Sequence, residues 1–150
     1  MSVEESVEGG EGGVVAARLN HLFATVHPAD RGPYANPEVA SAINEKAGHQ
    51  VLSATYLWQL RKGKRQDPTH SRLKALADFF GVSAMYFYED ETAKRTDEQL
   101  RLAAALRNPA IRQLALDADG LSEHSLAAIA AMIQSARAME GLPAPDSAPE

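Results

Sequence analysis

From Val14 onward, apolar positions recur at three- and four-residue spacing, and the pattern predicts helix after helix. Val15, Leu19, Leu22, Phe23 and Val26 share one face of a first helix, which Pro28 ends. The stretch HPADRGPYANP is dense in turn residues and reads as a loop. Asn36 followed by Pro37 has the form of a helix start, with Asn as cap and Pro at the first helical position. Val39, Ala40 and Ile43 form the stripe of this second helix, and Gly48 closes it. Ser53 is the next cap. Ala54 to Lys62 make a short helix with Leu57 and Leu60 inward and Gly63 as its stop.

The chain restarts at Pro68 and Thr69. Leu73, Leu76, Ala77 and Phe80 give a further amphipathic helix stopped at Gly81, and Ser83 caps a short aromatic turn, AMYFYED. The polar run ETAKRTDEQ, residues 91–99, reads as a domain boundary. Helical segments follow at Leu100 to Leu106 and at Ile111 to Leu116, separated by a break at Asn108–Pro109. After a turn at Asp119–Gly120, a last helix capped by Ser122 runs to about Glu140. No alternating pattern predicts a strand, and no internal repeat is present. The expected fold is all-α: a helix-turn-helix bundle over 14–92, then a helical region over 93–141. Tails at 1–13 and 142–150 have compositions that favour disorder.

Composition changes this picture little. Alanine is plentiful and aromatics are only 6%, which favours packed helices over sheet. Cysteine is absent, so no disulfide or thiolate metal site is available, and a reducing cytoplasm is the expected location. The opening MSVEESVEGGEGG lacks the basic and apolar regions of a secretion signal, and no apolar run approaches the ~20 residues of a membrane span. GGEGG lacks the GK[ST] ending of a phosphate loop and follows no strand.

Charge changes the picture more. The chain carries a net charge of −5, but residues 14–80 hold nine Lys/Arg against five Asp/Glu, a net of +4. Arg61, Lys62, Lys64 and Arg65 crowd around Gly63, beside the single Trp, Trp58. The overall acidity therefore hides a segment suited to a polyanion.

Two short helices joined by a turn and flanked by helices have the layout of a helix-turn-helix, whose second helix enters the major groove of DNA. With Leu57 and Leu60 inward, helical periodicity turns Ala54, Thr55, Trp58, Gln59 and Lys62 the other way. Gln59 can meet adenine with two hydrogen bonds, while Ala54 and Thr55 can touch a thymine methyl. Arg61, Lys62, Lys64 and Arg65 lie at the far end of the helix, where the sugar-phosphate backbone should pass, with Arg72 and Lys74 extending the ridge. Trp58 has two readings: outward against DNA with Ala54, Thr55 and Gln59, or folded back onto the second helix as core.

VLSATYLWQLRKGKRQDPT followed by LKALADFFGVSAMYF resembles the lambda-repressor-like (XRE-type) helix-turn-helix family. The match lies in Ser53, Leu57, Leu60 and Gly63, then Leu73, Leu76, Ala77, Phe79, Phe80 and Gly81. AARLNHLF, RGPY and YFYEDE are similar more narrowly to the EspR-like group of actinobacterial regulators, and the similarity spans about residues 15–142. The resemblance implies a nucleoid-associated transcription regulator with a C-terminal dimerisation region, whose homodimers bridge separated DNA sites. It puts Ala54, Thr55 and Gln59 where relatives read bases, and Ser53, Tyr56 and the basic residues where they hold phosphates. Two features depart from the family pattern: Arg61 stands where Glu is common, and the turn GHQVLS is long.

Residues 125–136, SLAAIAAMIQSA, carry no charge. A helix apolar nearly all round is buried in a core or between subunits, and this chain has little spare core. Homodimerisation through Leu126, Ile129, Met132, Ile133 and Ala136 is expected. Catalysis is not expected. His21, His27, His49, His70 and His124 are scattered without metal-ligand spacing, no GxSxG elbow occurs, and no cofactor or metal is implied. The rival reading is an adaptor that uses the same fold to bind protein rather than DNA.

Overall fold

The computed structural model describes residues 11–65 and 67–144. They form seven α-helices and one 3₁₀ turn, with no strand among the described residues: α1 Glu11–Thr25, α2 Asn36–Ala47, α3 Ala54–Arg61, α4 His70–Phe80, the 3₁₀ turn Ala84–Phe87, α5 Asp90–Ala105, α6 Pro109–Ala118 and α7 Glu123–Met139. The all-α expectation holds. The chain divides into two compact units between Arg107 and Asn108.

The first unit owns a continuous core. Leu19, Leu22 and Phe23 of α1, Val39 of α2, Leu57 and Leu60 of α3, Leu73 and Leu76 of α4, and Tyr86 are all but sealed from solvent. Tyr86 apart, these are the positions the three–four spacing selects, because a helix can bury only the stripe that faces its neighbours. Rings knit the centre: Phe23 meets Phe80 edge-on at 5.1 Å, and Phe80 meets Phe79 at 5.0 Å. The buried Tyr86 hydroxyl donates to Asp97 on α5 at 2.7 Å, and both burial and that carboxylate push its ionisation up. Arg18 of α1 pairs with Asp90 at the start of α5 and donates to the Tyr86 carbonyl at 3.2 Å.

Three expectations fall differently. Ala35, not Asn36, caps α2, and Glu38 satisfies the cap by accepting from the Ala35 N–H at 2.9 Å. The Asn36 amide is left for another partner, described below. The polar run 91–99 lies inside α5, because Ala93 is buried and Leu100, two turns later, packs against the same core while the charges occupy the outer face. The break between units comes instead at Asn108, whose side chain caps α6 by accepting from Ala110 N–H at 2.9 Å. The tails assigned to 1–13 and 142–150 lie largely outside the described residues, but Glu11–Gly13 already belong to α1. Residues 141–144 close the end of α7: Leu142 N–H donates to Arg137 O at 2.9 Å, and the Arg137 guanidinium donates to Pro143 O at 2.6 Å.

The second unit comprises α6 and α7, and neither has a buried residue.

Candidate nucleic-acid interface

α3 is held from both ends. At its start, Ser53 Oγ accepts from Tyr56 N–H at 3.0 Å, the N-cap read from the sequence. The preceding turn is stitched by Asn44 of α2. Its Oδ1 accepts from Val51 N–H (2.7 Å) and Leu52 N–H (3.2 Å), and its Nδ2 donates to Leu52 O (2.8 Å). One side chain thus satisfies three backbone groups of GHQVLS and fixes how α3 leaves α2, despite the length of that turn.

At its end, α3 closes in a Schellman arrangement. Gly63 N–H donates to Leu60 O at 3.1 Å, Lys64 N–H donates to Gln59 O at 2.9 Å, and Gly63 sits at φ +73°. The left-handed glycine reverses the chain, so the next residues run back along the helix that precedes them. Lys64 Nζ comes to rest 4.7 Å over the Trp58 ring, and the Arg65 guanidinium 5.4 Å over the Tyr56 ring. Arg65 Nε also donates to Gln59 Oε1 at 2.9 Å. From α4, Arg72 lies 4.4 Å over the same Tyr56 ring and donates to Val51 O at 3.2 Å.

These placements sort the candidate residues. Thr55, Lys62, Lys64 and Arg65 are exposed; Ser53, Ala54, Tyr56 and Gln59 are half-buried. Trp58 is 43% exposed, so it faces outward rather than joining the core. Lys74 pairs with Asp78 one turn along α4 at 3.1 Å, and its charge is partly spent there.

Arg61 is the exception. Its Nε donates to Asn20 Oδ1 at 2.8 Å, its Nη1 donates to Asn36 Oδ1 at 2.8 Å, and its guanidinium carbon lies 3.9 Å over the Phe23 ring. Asn20 Nδ2 returns a bond to Arg61 O at 2.9 Å. Burial pulls the Arg61 pKa down. The side chain placed among phosphate contacts by its membership of a basic run is turned inward, and it ties the end of α3 to α1 and to the first turn of α2. Asn20 and Asn44 carry no signal in the sequence, since isolated amides have no periodicity, and Asn36 has the sequence signature of a cap only. The position of Arg61 did carry one: it lies four residues after Leu57 and one after Leu60, on the inward stripe itself.

In the second unit, Leu126 is 41% exposed, Met132 70% and Ile133 49%; Ile129 is half-buried and Ala136 exposed. Leu114 and Leu116 of α6 are also largely exposed. Among the described residues no group of three or more His, Asp or Glu could hold a metal ion, and no helix is long and apolar enough to cross a membrane.

No family model matches the chain. Nucleoid-associated protein EspR of Mycobacterium tuberculosis, from strains CDC 1551 / Oshkosh and ATCC 25618 / H37Rv, is 40% identical to it over 129 residues. The match covers 86% of this chain and 96% of that protein. The chain belongs to the EspR family.

Proposed function

We propose that this chain is a sequence-specific DNA-binding transcription regulator of the cytoplasmic nucleoid, acting as a homodimer with α3 in the major groove. One observation carries the reading. The outward face of α3 bears Thr55, Trp58 and Gln59, and a glycine-directed reversal lays Lys64 and Arg65 along it, with Lys62 exposed at its end. Side chains able to meet base edges thus lie beside cations able to meet phosphates, the division of labour a groove-binding helix needs. Ala54, Thr55, Trp58 and Gln59 are the base-facing set. Ser53, Tyr56, Lys62, Lys64 and Arg65 are the phosphate set. Arg61 is assigned to holding the helix instead. Kinship with a protein named nucleoid-associated supports the same reading.

The dimer is proposed through α7, with Leu126, Ile129, Met132, Ile133 and Ala136 at its centre. Its support is an apolar face that the described monomer leaves uncovered. Two recognition helices on one dimer multiply the specificity of an eight-residue helix and allow one particle to hold two separated sites.

The test is duplex binding by fluorescence anisotropy across a salt series. The logarithm of affinity is expected to fall linearly with the logarithm of salt, by about 0.9 per phosphate neutralised. Gln59→Ala is expected to alter sequence preference more than the salt slope. Absence of duplex binding at any salt, with a stable complex to another protein instead, would replace this reading by the adaptor one.

A further inference from the structure

Three features of the first unit are left over: a cavity of about 220 Å³ between α2 and α4 lined by Ile43, Val51 and Phe79, the His70–Tyr88 pair, and the Arg65–Gln59 bond. Nothing indicates what would fill the first, and the second is a contact between two exposed side chains with no buried polar group at it. The third bears on what the protein reads.

We propose that Arg65 is a specificity-determining positioning residue: it fixes the orientation of the Gln59 amide, and the two side chains read a base pair as one unit. The proposal rests on the reading of α3 as a DNA-recognition helix. An amide side chain has two nearly isosteric faces, one accepting and one donating, and in water it presents either. A guanidinium only donates. The atom 2.9 Å from Arg65 Nε must therefore be the Gln59 carbonyl oxygen, and the Gln59 NH₂ group takes the other side. Arg65 is itself held in place. The Gly63 reversal brings it back over α3, and its guanidinium lies over Tyr56, which Arg72 also covers. The held amide keeps both NH₂ donors and the second lone pair of its oxygen. That set suits adenine, whose N7 accepts and whose N6 donates. If Arg65 no longer holds the oxygen, the amide can turn over and present its groups in the opposite order, so the preference for one base weakens although the amide is still present.

A charge-only role for Arg65 makes a different prediction, and Arg65→Lys separates the two. Lysine keeps the positive charge but loses the planar Nε donor and the stacking on Tyr56. The experiment measures wild type, Arg65→Lys, Arg65→Ala, Gln59→Ala and the Gln59→Ala/Arg65→Lys double variant against a panel of duplexes with every base pair of the site substituted, at two or more salt concentrations. Trp58 fluorescence melts confirm that each variant folds.

If Arg65 positions Gln59, then Arg65→Lys keeps the wild-type salt slope. Its discrimination falls about tenfold at the same base pair that Gln59→Ala affects. The double variant then loses no more than Gln59→Ala alone, because both changes remove one readout. If Arg65→Lys keeps wild-type discrimination, and Arg65→Ala weakens all duplexes equally with a slope smaller by about 0.9, Arg65 is a phosphate contact only and the proposal is overturned. If the wild type binds no duplex at all, the DNA reading itself fails and takes this proposal with it, an outcome visible before any variant is made.

Discussion

Arg61 offers the sharpest single perturbation, because its neighbours in the sequence and its neighbours in space suggest opposite roles. Truncation to Ala removes two donated hydrogen bonds, to Asn20 and Asn36, each 2.8 Å, and the contact with the Phe23 ring at 3.9 Å. Hydrogen bonds from a charged donor contribute about 1.5–3 kcal/mol each, and cation–π contacts about 0.5–2 kcal/mol. The side chain is only half-buried, so solvent screening brings the combined loss to about 2–4 kcal/mol. For a unit of this size that is a fall of roughly 10–20 °C in melting midpoint.

The single Trp of the chain lies in α3, so its fluorescence reports the unit in question directly. Arg61→Lys is expected to recover about half of the loss, since an ammonium can reach one of the two amide oxygens but cannot fork to both. Arg61→Met, which keeps bulk against Phe23, is expected to bind duplex with an unchanged salt slope at temperatures well below its midpoint. A melting midpoint of Arg61→Ala within a degree or two of wild type, together with a salt slope reduced by about 0.9, would refute this account and return Arg61 to the phosphate contacts.

Gly63→Ala is expected to lower stability by about 1–2 kcal/mol through backbone strain alone, since φ is +73° and an added Cβ meets nothing within 4 Å; duplex affinity should fall with it as Lys64 and Arg65 lose their registration. Glu38 accepts from Arg31 at 2.7 and 2.8 Å and from Ala35 N–H, and these bonds lower its pKa from 4.5 to about 2. A lowered carboxylate pKa contributes stability above the unfolded value that is lost as pH falls through the folded one, so melting midpoints should drop between pH 4.5 and 2, and less so in Glu38→Gln. Ile133→Glu, which sets a charge on the apolar face of α7, is expected to convert the proposed dimer to monomer by sedimentation velocity while the Trp58 melt stays near that of wild type.

The framework of the first unit was legible because it rests on apolar spacing. Val15, Leu19, Leu22 and Phe23 had to share a face, and so did Leu73, Leu76, Ala77 and Phe80; all eight are buried. Ser53, Ser83 and Ser122 were legible as caps for an equally local reason, a hydroxyl two or three residues before the N–H it serves. What escaped was set by residues far apart in the chain. The bonds of Arg61 to Asn20 and Asn36 join three helices, and no window of sequence contains them. The basic run misled because charge was averaged along the chain rather than around the helix: Lys62 and Arg61 are neighbours in sequence but differ by about 100° around the axis, enough to put one in solvent and the other against Phe23. The run 91–99 misled in the same manner. Its charges outnumber Ala93 and Leu100, the two-turn apolar repeat that packs on the core.

The two units differ in what stabilises them. The first closes a core from five helices and a 3₁₀ turn, and α3 can present polar groups outward because Leu57, Leu60 and the Arg61 network anchor it. The second has two helices and, among the described residues, no buried side chain, and Leu114, Leu116 and Met132 are each more than 60% exposed. Two helices of that kind bury too little apolar surface to offset the entropy of ordering them, so their stability must come from a surface they do not themselves possess. In the proposed dimer, each copy supplies that surface to the other. Mass action then makes the order of α7 depend on protein concentration, whereas the core around Trp58 is independent of it. Helicity of the full chain should therefore melt at a midpoint that rises with concentration, while Trp58 fluorescence melts at one that does not. Were both midpoints insensitive to a hundredfold dilution, α7 would have found its cover within a single chain, and the dimer would have to be abandoned.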